Sequence, residues 1–247
     1  YGYWAPSIYD YAQMKVFDRL VSNGEALLPE AEALLKLVDP YRYVSRTENI
    51  PKFITNATCD EFFLPDSSLY YFGNLLGEKY LNYVPNVSHG LGGEISLETD
   101  AVQNLLAWFL AKTQDIEQPT FTWEKNISGD TNILKVTVDS KFTSLIREVK
   151  LWKCNNPNAR DFRKYKLEEW GIQYESQPLE PVSSSVYEAR VPKPYQGYTA
   201  YFIQLIFNNP ARFQMAVPGT SVPPLVYTTS VYITPEELPT YSSERYD

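Results

Sequence analysis

The chain has 247 residues, 44% of them hydrophobic and 15% aromatic, with a formal net charge of -8. That length and apolar content can supply the core of one large domain or of two ordinary ones, and two is the better expectation. Lys and Arg are scattered rather than clustered, so the acidic chain offers no electropositive surface to a phosphate backbone, and a nucleic-acid partner is excluded.

No window approaches the roughly 18 apolar residues that a membrane helix needs, so no membrane span is expected. The opening YGYWAPSIYDYAQMK lacks the basic start and apolar run of a signal peptide. Cys59 and Cys154 fit no metal-ligand spacing; one long-range bridge or two free thiols would satisfy the count, and free thiols are favoured. Asn56, Asn86 and Asn126 each begin an Asn-x-Ser/Thr triplet, a weak pointer to export because such triplets are common by chance.

In chain order, Ile8, Tyr11, Met14, Phe17, Leu20 and Val21 recur at helical spacing and predict a helix ending near Asn23-Gly24. Pro29 opens a second, with Ala31, Leu34, Leu35 and Val38 facing inward and Asp39-Pro40 as its stop. Lys52 to Thr58 is a short apolar run suited to a buried strand. Asp66-Ser67-Ser68 then reads as the cap of a helix reaching about Leu76 and closed by Gly77. Lys79 to Val84 is another strand, and Thr99 or Asp100 caps a long helix with Val102, Leu105, Leu106, Phe109 and Leu110 in one apolar stripe. Strand, helix, strand, helix is the pattern of an α/β fold with a parallel sheet.

From Gln118 onward the texture changes. FTWEK, ILKVTVD, REVKLWKC, GIQYES, SVYEARV, YTAYFIQLIF and LVYTTSVYIT alternate between turn-rich segments, which predicts an antiparallel β-sandwich of the immunoglobulin or fibronectin-III kind. The expected division is an α/β part over residues 1–115, with cap-like helices in 1–40, loops of interest in 52–93 and a final helix over 99–113. The sandwich then spans 118–235, and 236–247 forms an irregular tail.

Open parallel sheets build their sites at the carboxyl ends of their strands. Asp60 lies just past the first predicted strand, and His89, the single histidine of the chain, follows the second by five residues. Two adjacent parallel strands would bring this carboxylate and imidazole to one rim, where the carboxylate fixes the ring's tautomer and stabilises its protonated form. Asp66 is the competing acid, but helix capping accounts for it, and Asp60 is preferred. A serine nucleophile activated by this pair should sit on a glycine-flanked elbow upstream of the acid. Ser7, Ser22 and Ser45 have no such setting, so the nucleophile is expected to lie outside this sequence.

DPYRYVSR, IPKFITNATCDEFFLPDSS, GEKYLNYVPNVSHGL, ARDFRKYKLEEW and GYTAYFIQLIF resemble the PhoPQ-activated pathogenicity-related proteins, a family that includes autocrine proliferation repressor proteins. The resemblance covers almost the whole chain. It implies an α/β-hydrolase followed by a β-sandwich, secreted or periplasmic, with Asp60 as the acid, His89 as the base and the serine elbow in an N-terminal half absent here. The chain then reads as the C-terminal half of a larger protein, and this half alone is expected to be inactive for want of a nucleophile. An exposed sheet edge would be expected to take up the missing hydrolase segment, or a second copy or protein partner.

The remaining features call for no further chemistry. Gly90, Gly92 and Gly93 read as a turn beside His89, and no cofactor or metal is expected. Arg160, Arg163, Lys164 and Lys166 are interleaved with acids, as on a solvated face or a structural bridge to the hydrolase half. Trp123, Trp152, Trp170, Tyr187, Tyr198 and Tyr201 are assigned to packing rather than to a ligand groove. The leading expectation is a serine-hydrolase-like protein acting on an ester or on a peptide or amide bond of a small-molecule or peptide substrate. The alternative is a non-enzymatic secreted signalling or interaction protein on the same scaffold.

Overall fold

A computed structural model of the chain describes residues 21–22, 26–27, 29–92, 100–212 and 222–237. Of the helix expected from Ile8 to about Asn23-Gly24, residues 8–20 lie outside that set, and Val21, its last expected apolar position, falls in a strand instead. Val21–Ser22 (β1) pairs with Ala26–Leu27 (β2) in a minimal antiparallel bridge. Helix α1, Pro29–Val38, starts at its proline as expected. Of the residues expected to face inward, Leu34 and Val38 are exposed and Leu35 is half-buried.

Lys52–Ala57 (β3) and Lys79–Val84 (β4) pair in parallel and in register, Phe53 opposite Tyr80 and Ala57 opposite Val84. The crossover between them is not the helix expected from Asp66. It is two 3-10 turns, Ser67–Tyr70 and Phe72–Asn74, and the Asp66 side chain caps neither. Gly77 ends the crossover at φ 72°, and a Cβ there would lie 1.8 Å from the carbonyl oxygen of Glu48. Gly77→Ala is therefore expected to destabilise the chain by more than about 2 kcal/mol, read as a lower urea midpoint at unchanged slope.

Helix α2, Asp100–Thr113, buries Ala107, Leu110 and Ala111, while Leu105 and Phe109 are exposed. The single stripe read from the sequence is thus split. Small residues four apart let the helix approach the strands closely, and Phe53 stacks on Trp108 at 5.4 Å between ring centres.

The rest of the chain is mostly antiparallel. Phe121–Ser128 (β5), Thr131–Val138 (β6), Ile146–Asn156 (β7), Glu175–Pro178 (β8), Pro181–Ser183 (β9), Val186–Pro192 (β10), Tyr198–Phe207 (β11), Leu225–Thr228 (β12) and Tyr232–Thr234 (β13) follow in order. They form one sheet of order β5-β6-β10-β9 and a second of order β12-β11-β7-β8, with β13 also on β11. The segments FTWEK, ILKVTVD, REVKLWKC, SVYEARV and YTAYFIQLIF became strands near their expected places. GIQYES contributes only its end, and LVYTTSVYIT divides into β12 and β13. A short helix, α3 at Lys164–Glu169, lies in the stretch between REVKLWKC and GIQYES that was expected to be turn-rich. The fold is mixed α/β with antiparallel sheets.

β11 joins the parts because both its faces are buried. Tyr201, Ile203, Leu205 and Phe207 share a cluster with Leu134, Val136, Tyr187 and Ala189 of the other sheet and with Ala107 and Leu110 of α2. Ala200 and Phe202, on the opposite face, share a second cluster with Leu81 and Tyr83 of β4. The outer edge of β4 meets β12 through side chains: Asn82 Nδ2 donates to the Val226 carbonyl at 3.1 Å, and Tyr83 N donates to Thr228 Oγ1 at 3.1 Å. Satisfying that edge through buried side chains locks the parallel pair to the antiparallel sheet.

Candidate active site

The parallel register brings the carboxyl ends of β3 and β4 side by side, and each strand continues into a loop. Thr58 N donates to the Val84 carbonyl at 3.1 Å and Cys59 N to the Val87 carbonyl at 3.0 Å, so the two loops stay paired past the ladder. The Thr58 hydroxyl closes the turn from the other side, accepting from Asn86 N at 2.8 Å. Asp60 directly follows Cys59 on one loop, and His89 follows Val87 by two residues on the other.

They meet. His89 Nδ1 lies 3.0 Å from Asp60 Oδ2 and 3.2 Å from Oδ1. An ionised carboxylate only accepts, so in the neutral ring Nδ1 carries the proton and Nε2 keeps a free lone pair. Asp60 is 7% exposed, whereas the His89 side chain is 48% exposed. The acid is thus enclosed and the base is open to an incoming group.

Local backbone holds the carboxylate in place. Asp60 Oδ1 accepts from Phe62 N at 2.7 Å and from Phe63 N at 3.0 Å, a turn that fixes the side chain before the histidine arrives. Phe62 and Phe63 then border the imidazole, with ring centres 4.6 and 5.7 Å from it. Glu61 supplies a second acidic contact, its Oε2 accepting from His89 N at 3.0 Å. Consecutive carboxylates therefore hold the ring and the backbone of one residue.

Asp66, the competing acid, has a different role. Its Oδ2 accepts from Arg160 Nη2 at 2.7 Å, with both side chains about 5% exposed. Arg160 and Arg163 are buried, Arg163 chelating Asp161 through Nε at 2.9 and 3.1 Å, while Lys164 and Lys166 pair with Glu168 and Glu169 at the surface. The basic cluster is part bridge to the acid loop and part solvated face.

Sequence reasoning did not single out Glu61, Phe62 or Phe63, although they directly follow the acid. It also passed over Asn86, read only as the start of a triplet. Asn86 takes φ 59°, and its amide pairs with the backbone of Tyr174: Nδ2 donates to the Tyr174 carbonyl at 2.9 Å and Oδ1 accepts from Tyr174 N at 2.7 Å. Of the other triplets, Asn56 lies in β3 with Nδ2 donating to Tyr71, and Asn126 is exposed on β5. Beyond His89, Leu91 and Gly92 both take positive φ, the tight turn expected of the glycine-rich stretch.

Cys59 and Cys154 are buried free thiols in the second cluster. Burial pushes the Cys59 thiol up to about 11 and raises Cys154 as well. A raised folded value favours the protonated thiol. That contribution to stability is complete below the unfolded thiol's value near 9 and is lost as pH climbs toward about 11. At pH 8 a thiol reagent is expected to label neither cysteine in the folded chain and both in denaturant; fast labelling of the folded protein would contradict this burial.

Among the described residues no helix is long and apolar enough to cross a membrane. No solved structure matches the chain. Over its full length it is 29% identical, across 257 residues, to autocrine proliferation repressor protein A of Dictyostelium discoideum, and it spans about half (49%) of that relative. The model of one family, the PhoPQ-activated pathogenicity-related proteins, matches residues 1–163, which include Asp60, His89 and Arg160. The match takes in well over half of the chain, and the protein belongs to the PhoPQ-activated pathogenicity-related family.

Proposed function

We propose that the protein is the base-and-acid part of a secreted or periplasmic serine hydrolase that cleaves an ester or a peptide or amide bond. His89 is the general base through Nε2, Asp60 orients it and stabilises its protonated form, and a serine from outside these residues attacks the carbonyl. The observation that carries this reading is the Asp60–His89 pair at the carboxyl ends of two parallel strands, with the acid enclosed and Nε2 left free. The parallel pair is read as the last part of an α/β-hydrolase sheet. The two antiparallel sheets, sharing one cluster, are read as a sandwich of about 118–235 appended to it.

The outer edge of β3, which pairs with no strand among the described residues, and the exposed Leu34, Leu37 and Phe109 support this reading, since further strands and helices would cover them. In such a complex the serine hydroxyl gives its proton to Nε2 as it forms the acyl-enzyme bond, and the imidazolium then gives the proton to the leaving alcohol or amine. Water completes the cycle with the same base.

The test is turnover of short acyl esters and aminoacyl anilides by the full-length protein. Hydrolysis that falls by several orders of magnitude in His89→Gln supports the reading; hydrolysis unchanged by that substitution overturns it. A second reading, a signalling protein that keeps the scaffold without turnover, is favoured by the name of the proliferation repressor relative. Growth repression that persists in His89→Gln would select it.

A further inference from the structure

We propose that the segment 160–174, which lies after β7 in the second half of the chain, is a clamp that positions the Asp60–His89 pair. It grips both loops of the site. On the acid loop, Lys164 N donates to the Cys59 carbonyl at 3.0 Å, one residue before Asp60, and Arg160 binds Asp66 at 2.7 Å at the loop's far end. On the histidine loop, the Asn86 amide is held at both ends by the backbone of Tyr174, three residues before His89. Phe162, Leu167 and Tyr174 bury the underside of the same clamp with Cys59.

The acid loop is thus fixed on both sides of Asp60, and the histidine loop is fixed at Asn86, on the side from which β4 feeds it. The contacts are backbone or charge-assisted and enclosed, so they hold position rather than only adding cohesion. Arg160 and Asn86 act through the loops and are positioning residues. The second half of the chain is then a working part of the site, not a separate recognition module. Displacing one loop by about 1 Å is enough to cost on the order of 100-fold in rate for a paired acid and base.

The inference rests on the Asp60–His89 reading, but its test needs no turnover. In the full chain with 15N-labelled histidine, the His89 resonances are identified by their loss in His89→Gln. The wild-type neutral ring is expected to be protonated at Nδ1 and bare at Nε2. Arg160→Ala and Asn86→Asp are expected to give the mixed-tautomer signal of an untethered imidazole, with Arg160→Lys restoring part of the Nδ1–H population. Esterase turnover of the full-length protein should fall about 10- to 100-fold in the same variants. If both variants fold, by circular dichroism and melting, and keep the wild-type tautomer, the clamp is structural only and the proposal is overturned. If Arg160→Ala does not fold, Asn86→Asp decides alone, because it removes one hydrogen bond at nearly unchanged volume. Wild-type protein that shows the Nδ1–H ring but no turnover would defeat the hydrolase reading and leave the clamp standing.

Discussion

Asp60→Asn is expected to lower turnover by the full-length protein about 10⁴-fold while leaving its melting temperature nearly unchanged. The two carboxylate oxygens do different jobs. Oδ1 accepts from Phe62 N and Phe63 N, and an asparagine carbonyl can take over that position. Its amide nitrogen then replaces Oδ2 and turns an N–H donor toward His89 Nδ1. The ring must accept there, its proton moves to Nε2, and the lone pair that would deprotonate the nucleophile is gone. Folding and chemistry separate in this one substitution. Rate constants and thermal melts on the same preparation check it, and a rate within tenfold of wild type would show that Asp60 does not orient the base.

Phe202→Ala is expected to cost about 3–5 kcal/mol of stability. Phe202 is fully buried on the face of β11 that meets the parallel pair. Its ring lies 6.0 Å from that of Tyr83, 6.2 Å from Tyr174 and 6.4 Å from Trp152, so it touches β4, the clamp segment and β7 at once. Removing it opens a cavity where three elements converge, and surrounding aromatic rings on regular strands have little room to collapse into it. Urea unfolding followed by far-ultraviolet dichroism and by tryptophan fluorescence should shift together. A loss under about 1 kcal/mol, or two separated transitions, would mean that the halves do not share this core.

The strands and the pairing of Asp60 with His89 were legible because each rests on local pattern. Lys52 to Thr58 and Lys79 to Val84 announce strands, although the run read as buried is mostly half-buried and the other is the buried one, and parallel strands bring their following loops together regardless of the rest of the fold. Preferring Asp60 over Asp66 rested on a helix cap that does not form, yet the choice agrees with the geometry: Asp66 is taken by Arg160, a residue 94 positions later. No local rule signals a pair that distant. The same limit hid Asn86, whose partner Tyr174 is 88 positions away. α3 was masked by the alternating texture on both sides of it, and its Lys-Glu pairs at three- and four-residue spacing were the available signal. The inward faces of α1 and α2 were misjudged for a physical reason. Helical periodicity reports an apolar stripe but not what covers it, and Val38, expected inward, is 61% exposed.

The most direct measurement is fluorophosphonate labelling of the full-length protein, followed by mass spectrometry of the modified peptide. If Asp60 and His89 activate a nucleophile, a single serine outside these residues carries the phosphonyl group, and labelling is lost in His89→Ala and falls about 10³-fold or more in Asp60→Asn. Labelling that is absent from the wild-type protein, or that proceeds unchanged without His89, would contradict the hydrolase account.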